Sequence, residues 1–355
     1  MIVDIYVYDS NYNRVAVIDT FTSLIWTKRY YECGDFELYI PADSAILPYI
    51  QPDYFLMRDD DESVMVIEKF ECDTDAENGD FFIVSGRCLK SILLRRIFSR
   101  QYVLNNSGTI NAAAQAMISE CTTVHTPIPH YPNDYRQISG LTVDFSTTFD
   151  AALQTQFTGQ TLLDGIISIA QPREIGLKMT ISGTNLVVSF FKGQDNGVIF
   201  SPDFDNLVNS KYVFDKSSYA NRAYIAGEGQ GSSRIWTSVT TGTLINPYSG
   251  LGLHEIYVDA RDVSSNDGGI DYVDYLDMLS SRGWKKLSES EVSKAFDATV
   301  ETKSGFIYKQ DYDLGDVVTV TNEYGITAKP RIVEIVESWD ETGYTVIPKF
   351  DALEV

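Results

Sequence analysis

Only three histidines, His125, His130 and His254, occur in 355 residues, so the side chain best suited to proton transfer near neutral pH is almost missing. Cysteine is scarce as well. Cys33, Cys72, Cys88 and Cys121 stand far apart, and no pair has the spacing of a metal knuckle or a redox motif. A chain of this length does not need a disulfide framework, and the four read as free, buried thiols made in a reducing compartment. Positive charge is short too: 28 Lys and Arg face 50 Asp and Glu, for a formal net charge of −22. That balance excludes a protein that grips nucleic acid, which needs cations to displace phosphate counterions. It fits either solubility by self-repulsion or a surface that must not hold DNA. No apolar run approaches the length of about twenty residues that a bilayer span requires. The first residues carry Asp4 where a signal peptide carries basic residues, so cytoplasmic synthesis is expected and membrane insertion is not.

What is present is ordinary globular material, 44% hydrophobic and 22% charged, in a chain long enough for two to four packed units. Val3, Ile5 and Val7 alternate with Asp4, Tyr6 and Tyr8, and residues 9–13 supply turn chemistry before Val15 and Val17 resume the pattern. Short apolar runs at 36–40, 54–57, 64–67 and 81–84 continue it, as in a small barrel or sandwich. Near residue 95 the period changes. Ile110, Ala113, Ala114, Met117, Ile118 and Cys121 lie on one helical face behind a Thr109 N-cap, and Leu162, Leu163, Ile166, Ile167 and Ala170 repeat the pattern before Pro172. Strands are expected at 177–181, 186–191, 224–226 and 234–239. A helix follows from Asp271, with Tyr272, Tyr275, Leu276 and Leu279 on one face and Gly283 placed to end it. Ser288 with Glu291 has the form of a capping box for a second short helix containing Val292, Ala295 and Phe296. From Asp316 onward the pattern is β again.

Candidate chemistry is thin. Cys121, His125 and His130 have a spacing that zinc ligands can adopt, but no fourth ligand is evident and prolines thread the segment, so it reads as an irregular surface loop. Gly227, Gly229 and Gly231 resemble a phosphate cradle, yet β-patterned residues follow where a helix N-terminus is needed; a wide turn between strands is the reading. Asp59, Asp60, Asp61 and Glu62 lack the ligand spacing of a calcium loop and read as a solvated hairpin tip. No nucleophile elbow and no Cys/His pairing of recognisable spacing occurs. Catalytic, cofactor and metal residues are therefore assigned to none, and interface residues stay unassigned. Twenty-two tyrosines and four tryptophans are ordinary cross-strand filling, or else the exposed platforms of a glycan-binding module.

Four segments in order resemble one family: Trp26-Thr27-Lys28-Arg29-Tyr30-Tyr31-Glu32-Cys33-Gly34-Asp35-Phe36-Glu37-Leu38 with Pro41; Val84-Ser85-Gly86-Arg87 with Leu89, Arg95 and Arg96; Asn221 to Gly229; and Leu314-Gly315-Asp316-Val317-Val318 through Ala328 to Arg331-Ile332-Val333-Glu334-Ile335. Together they are similar to the siphophage baseplate hub, or tail-associated (Tal) protein, of the ReqiPepy type, itself similar to the central hub of contractile tails. The resemblance covers the whole chain. It implies a β-rich α+β protein with two tube-like β-barrel domains, an α+β domain and a small helical insertion. On that plan residues 1–95, completed by about 195–215, form the first barrel, 96–195 the peripheral α+β domain, 216–262 with 300–355 the second barrel, and 263–299 the insertion. It further implies a non-enzymatic homotrimer at the virion tail tip, synthesised and assembled in the host cytoplasm. Its expected partners are the distal tail protein ring, the tail tube and the tape-measure protein, with the host surface engaged only indirectly and DNA passing without specific binding. Some relatives continue into lytic or receptor-binding regions. A chain ending at Val355 is expected to lack peptidoglycan cleavage unless the natural protein is longer. The alternatives are a host-glycan-binding tail module and the N-terminal part of a wall hydrolase.

Overall fold

Alternating apolar residues build the first unit. In the computed structural model, which describes residues 3–75, 79–106, 108–204, 206–243, 248–265, 269–300 and 305–351, Val3, Ile5 and Val7 are buried while the residues between them are not. The strands are β1 (Ile5–Tyr8), β2 (Arg14–Ile18), β3 (Ser23–Arg29), β4 (Asp35–Pro41), β5 (Phe55–Arg58), β6 (Val64–Asp75) and β7 (Gly79–Cys88). The first turn closes because the Asp9 carboxylate accepts the amides of Asn11 and Asn13, both at 2.9 Å, the Asx arrangement expected of that residue type. Phe36, Leu38 and Ile40 of β4 point one way into a core shared with Trp26, Leu56 and Met65.

The α+β unit follows: α1 (Ser91–Leu94), β8 (Tyr102–Asn106), α2 (Ile110–Thr122), β9 (Leu141–Val143), β10 (Leu153–Phe157), α3 (Leu162–Ala170), β11 (Gly176–Ser182) and β12 (Asn185–Phe191). Thr109 and Thr161 cap the two longer helices, their hydroxyls accepting the amides of Ala112 at 3.2 Å and Asp164 at 3.1 Å. The apolar faces of α2 and α3 meet Leu177, Met179 and Val188 of β11 and β12. The same core reaches the outer face of the first sheet through Phe55, Val64 and Val66.

The rest of the chain is β13 (Asp195–Phe200), β14 (Leu207–Asp215), β15 (Arg222–Ala226), β16 (Trp236–Thr240), β17 (Glu255–Asp259), α4 (Tyr272–Ser288), β18 (Ser293–Val300), β19 (Val317–Thr321), β20 (Thr327–Ala328), β21 (Ile332–Asp340) and β22 (Gly343–Phe350). Two expectations are corrected here. Gly283 does not end α4. The helix runs through it because α4 lies so close to β15 and β16 that a Cβ at Gly283 would sit 2.5 Å from Ile225 Cδ1 and 2.8 Å from Val239 Cγ2. Nor is there a second helix at Val292, Ala295 and Phe296. Ser288, expected to cap it, instead donates to the Lys285 carbonyl at 2.8 Å as the last residue of α4. Residues 293–300 then pair with β14, Phe296 opposite Tyr212 and Ala295 opposite Val213, a ladder that overrides the local capping pattern.

Eleven strands join one open sheet in the order β14-β18-β22-β21-β3-β4-β7-β6-β5-β1-β2, and smaller sheets are β10-β8, β11-β12-β9, β13-β19-β20 and β16-β15-β17. The fold is β-rich α+β, and none of these sheets closes on itself. The chain's two ends meet at β3 and β21, which pair from Glu334 opposite Arg29 to Trp339 opposite Leu24. Among the described residues no helix is long and apolar enough to cross a membrane.

The Gly283 contact gives a test of opposite sign to helix propensity. Leucine is the better helix former, yet Gly283→Leu is expected to lower stability by about 1–3 kcal/mol through overpacking against Ile225 and Val239. Urea unfolding of the variant beside the wild type measures it.

Candidate functional site

The strongest concentration of charge lies where β3, β5 and β21 meet. Arg58 and Glu337 are almost wholly buried, at 3% and 1% exposure, and their side chains pair at 3.0 Å. Arg58 also pairs with Asp60 at 2.8 Å. Lys28 bridges Asp61 at 2.6 Å and Glu337 at 2.8 Å, and Lys309 reaches Asp61 at 2.6 Å. The Tyr344 hydroxyl donates to Glu337 at 2.8 Å. The guanidinium of Arg58 lies 4.2 Å from the centre of the Trp339 ring and 5.5 Å from that of Trp26, so its unpaired Nη1 faces π-density where it has no oxygen. Burial alone would raise the Glu337 and Asp61 carboxyls. The cations together outweigh it, Lys28 with Arg58 at Glu337 and Lys28 with Lys309 at Asp61, and hold both groups below their ordinary range.

The acidic run at 59–62 is in part the solvated hairpin tip its composition predicts, with Asp59, Asp60 and Glu62 exposed, but Asp61 departs from it. Asp61 is buried because β21 and the segment at Tyr308 and Lys309 pack over it, a contact between residues too far apart for local pattern to reveal. The Asp61 carboxylate also accepts the Ser63 amide at 2.7 Å, and the Ser63 hydroxyl accepts the Trp26 indole N–H at 2.8 Å.

A second junction adjoins the first at the end of β3. The Tyr30 ring is fully buried, and a Cβ at either Gly176 or Gly315 would sit 2.3 Å from it. Its hydroxyl lies 3.0 Å from the Glu174 carbonyl and 3.1 Å from that of Phe191, both in the α+β unit. Arg331 stacks on the ring at 5.6 Å, donates to the Gly315 carbonyl and pairs with Glu174 at 2.9 Å. Lys90 is buried and donates to the carbonyls of Arg29 at 2.8 Å and Tyr31 at 3.2 Å. Between the junctions opens a cavity of about 610 Å³ with Lys28, Lys90, Asp61, Cys88 and Tyr308 in its wall.

The other candidates fall elsewhere. His125 pairs with Glu120 at 2.8 Å, and Cys121 is buried in α2, its thiol pushed up to about 12 by burial, while His130 is exposed in a left-handed turn. Among the described residues no three His, Cys, Asp or Glu side chains are grouped to hold a metal ion. Gly227 to Gly231 form the turn from β15 to β16, held by the Arg234 guanidinium on the carbonyls of Ala226 and Gly227, both at 3.0 Å. Arg95 pairs with Asp53, and Arg96 donates to the Arg136 carbonyl at 2.7 Å. All four cysteines are free, but of the four only Cys121 is buried as expected; Cys33 and Cys88 are half-buried, and Cys72 is exposed on β6. The aromatics divide: Trp26, Tyr30 and Tyr275 are core, while Trp236 and Tyr257 are exposed side by side at 5.9 Å.

The charged groups of both junctions are thus largely paired with one another, and the fold that holds them is that of phage tail proteins. It is shared with the 43 kDa tail protein of prophage MuSo2 from Shewanella oneidensis, with a TM-score of 0.59 and 16% identity over 99% of this chain and 98% of that one. A tail protein from Neisseria meningitidis MC58 gives 0.57 and 14% over 99% and 96%. The Francisella PdpA-VgrG complex gives 0.51 and 10% over 99% of this chain and 57% of that one. No curated protein sequence matches the chain. The chain belongs to the Siphovirus ReqiPepy6 Gp37-like protein family, whose model matches residues 4–350.

The junction predicts acid sensitivity. A carboxyl whose folded-state pKa is depressed contributes stability that is complete above its unfolded value, about 4, and disappears as pH falls through the folded one. The urea midpoint is expected to drop from pH 6 to pH 3. Glu337→Gln leaves Arg58 and Lys28 with less compensation, costs about 3–5 kcal/mol at pH 7 and flattens that pH dependence.

Proposed function

We propose that the chain is a structural, non-enzymatic hub at the tip of a phage tail, and that three copies close into a ring that continues the tail tube and encloses a channel for DNA. The observation that carries this reading is the eleven-stranded open sheet. Among the described residues its terminal strands, β2 and β14, each pair on one side only. Terminal strands at both ends of so long a sheet invite edge-to-edge association, and a head-to-tail interface between β2 of one copy and β14 of the next generates a closed ring. The two tube-like β-barrel domains are then completed between subunits rather than within one.

Family membership and the fold shared with tail proteins support the location at the tail tip. The likeness to the VgrG-containing complex supports a hub. The charge of −22 per chain supports the channel, because a wall rich in carboxylates repels phosphate and lets DNA slide without sticking. On this reading the neighbours are the distal tail protein ring, the tail tube and the end of the tape-measure protein.

Native mass spectrometry with negative-stain imaging of the purified chain tests the ring. A particle of three chain masses with threefold symmetry and an acidic lumen is expected, and a stable dimer or open filaments would count against it. Val17→Lys, at an exposed position on β2, is expected to lower the three-copy fraction at least tenfold while the far-UV circular dichroism of the folded chain stays unchanged.

A further inference from the structure

Cys33 and Cys88 take no part in either junction, yet the chain brings them together. Asp35 lies opposite Arg87 in the β4–β7 ladder, and the ladder continues one step further: the Cys88 amide donates to the Gly34 carbonyl at 2.8 Å, and the Gly34 amide donates to Cys88 Sγ at 3.2 Å. Cys33 enters from the irregular segment just before β4, and its side chain hydrogen-bonds that of Cys88. Both residues are half-buried, and Cys88 lines the cavity between the units, from which a small molecule reaches it. We propose that Cys33 and Cys88 are an oxidative modification site that reacts with a small-molecule disulfide to form an intramolecular cross-link.

The roles of the two sulfurs differ. The Cys33 hydrogen bond and the Lys90 ammonium draw the Cys88 thiol below its ordinary range against the effect of burial, so Cys88 is the nucleophile. Sharing that hydrogen bond and losing solvent push Cys33 up, so it remains a thiol until needed. The Cys88 thiolate attacks the small disulfide, forming a mixed disulfide and releasing one thiol. Cys33 then loses its proton and attacks Cys88 Sγ, forming the Cys33–Cys88 bond and releasing the second thiol. Two protein thiols are oxidised by two electrons, and one small disulfide is reduced to two thiols.

The other cysteines have no such partner. Cys72 is exposed and faces Phe82 in the β6–β7 register, and Cys121 is buried in α2. The bond ties the segment carrying Tyr30 and Tyr31, on which the units converge, to the end of β7. Under the tail-tip reading the chain passes from a reducing cytoplasm to oxidising surroundings, where such a bond persists. The chemistry itself does not depend on the ring.

The test is to incubate the full native chain with glutathione disulfide, quench with acid and map peptides by mass spectrometry. A linked 33–88 peptide lacking two hydrogens is expected, with a glutathione adduct on Cys72 showing that the oxidant was active. Cys33→Ser, which removes the second attack, is expected to trap glutathione on Cys88. The oxidised wild type is expected to melt several degrees above the reduced form, because the bond closes a long loop of the unfolded chain. Free thiols at both positions beside a modified Cys72, or glutathione retained on wild-type Cys88, would overturn the proposal whatever the oligomeric state.

Discussion

Glu337 ties the ends of the chain together. It lies on β21 opposite Trp26 of β3, it is buried, and its charge is tolerable only while Lys28 and Arg58 remain beside it. Two of these three residues are near the N-terminus and one is near the C-terminus. A buried carboxylate without its cations costs several kcal/mol, so the C-terminal strands cannot dock on β3 in another register without paying that cost. Apolar contacts along β3 and β21 supply attraction, but a ladder shifted by two residues would still bury apolar groups. The ion pairs select one register among these.

Tyr30 extends the constraint to the third unit. Its ring occupies space left by Gly176 of β11 and Gly315 before β19, and its hydroxyl lies against carbonyls of the α+β unit. Gly315 also sits at φ +95°, a backbone conformation that a larger residue adopts only with strain. One turn of chain, from Lys28 to Asp35, thus touches the first sheet, the α+β unit and the C-terminal strands. This convergence holds the three units in a fixed relation through one short segment.

Local features were legible in the sequence. Asp9 at a turn and Thr109 as a helix cap each act within four residues, so pattern alone finds them. The failures are all tertiary. Ser288 and Glu291 have the spacing of a capping box, but Ser288 serves α4 and the following residues are drawn into a ladder with β14. Gly283 has the look of a helix stop and is instead a close-packing site, because the sheet under α4 leaves no room for a side chain. Asp61 has the look of a solvated acid, and only the arrival of Lys309 across the sequence buries it. An interaction between ends of the chain leaves no periodic trace in either end.

The segments that carry the family resemblance explain why that likeness was readable where the site was not. Residues 26–38 form the end of β3, the Tyr30 turn and the start of β4; residues 84–87 are the part of β7 paired with residues 35–38; residues 314–335 hold Gly315, Arg331 and the start of β21. Three of the four segments therefore meet in one place. Gly34 and Gly86 are demanded there because a Cβ at either would lie 2.0 Å from a carbonyl oxygen of the neighbouring strand. Constraints of this kind depend on backbone approach and on ion pairs, and so each restricts which residue can stand at its position. The fourth segment, 221–229, lies in the separate sheet under α4, where Gly227 leaves room for the Tyr275 hydroxyl that accepts the Glu228 amide at 2.8 Å. In this chain the resemblance is therefore concentrated where the units meet, at positions set by backbone approach and by ion pairs between distant segments.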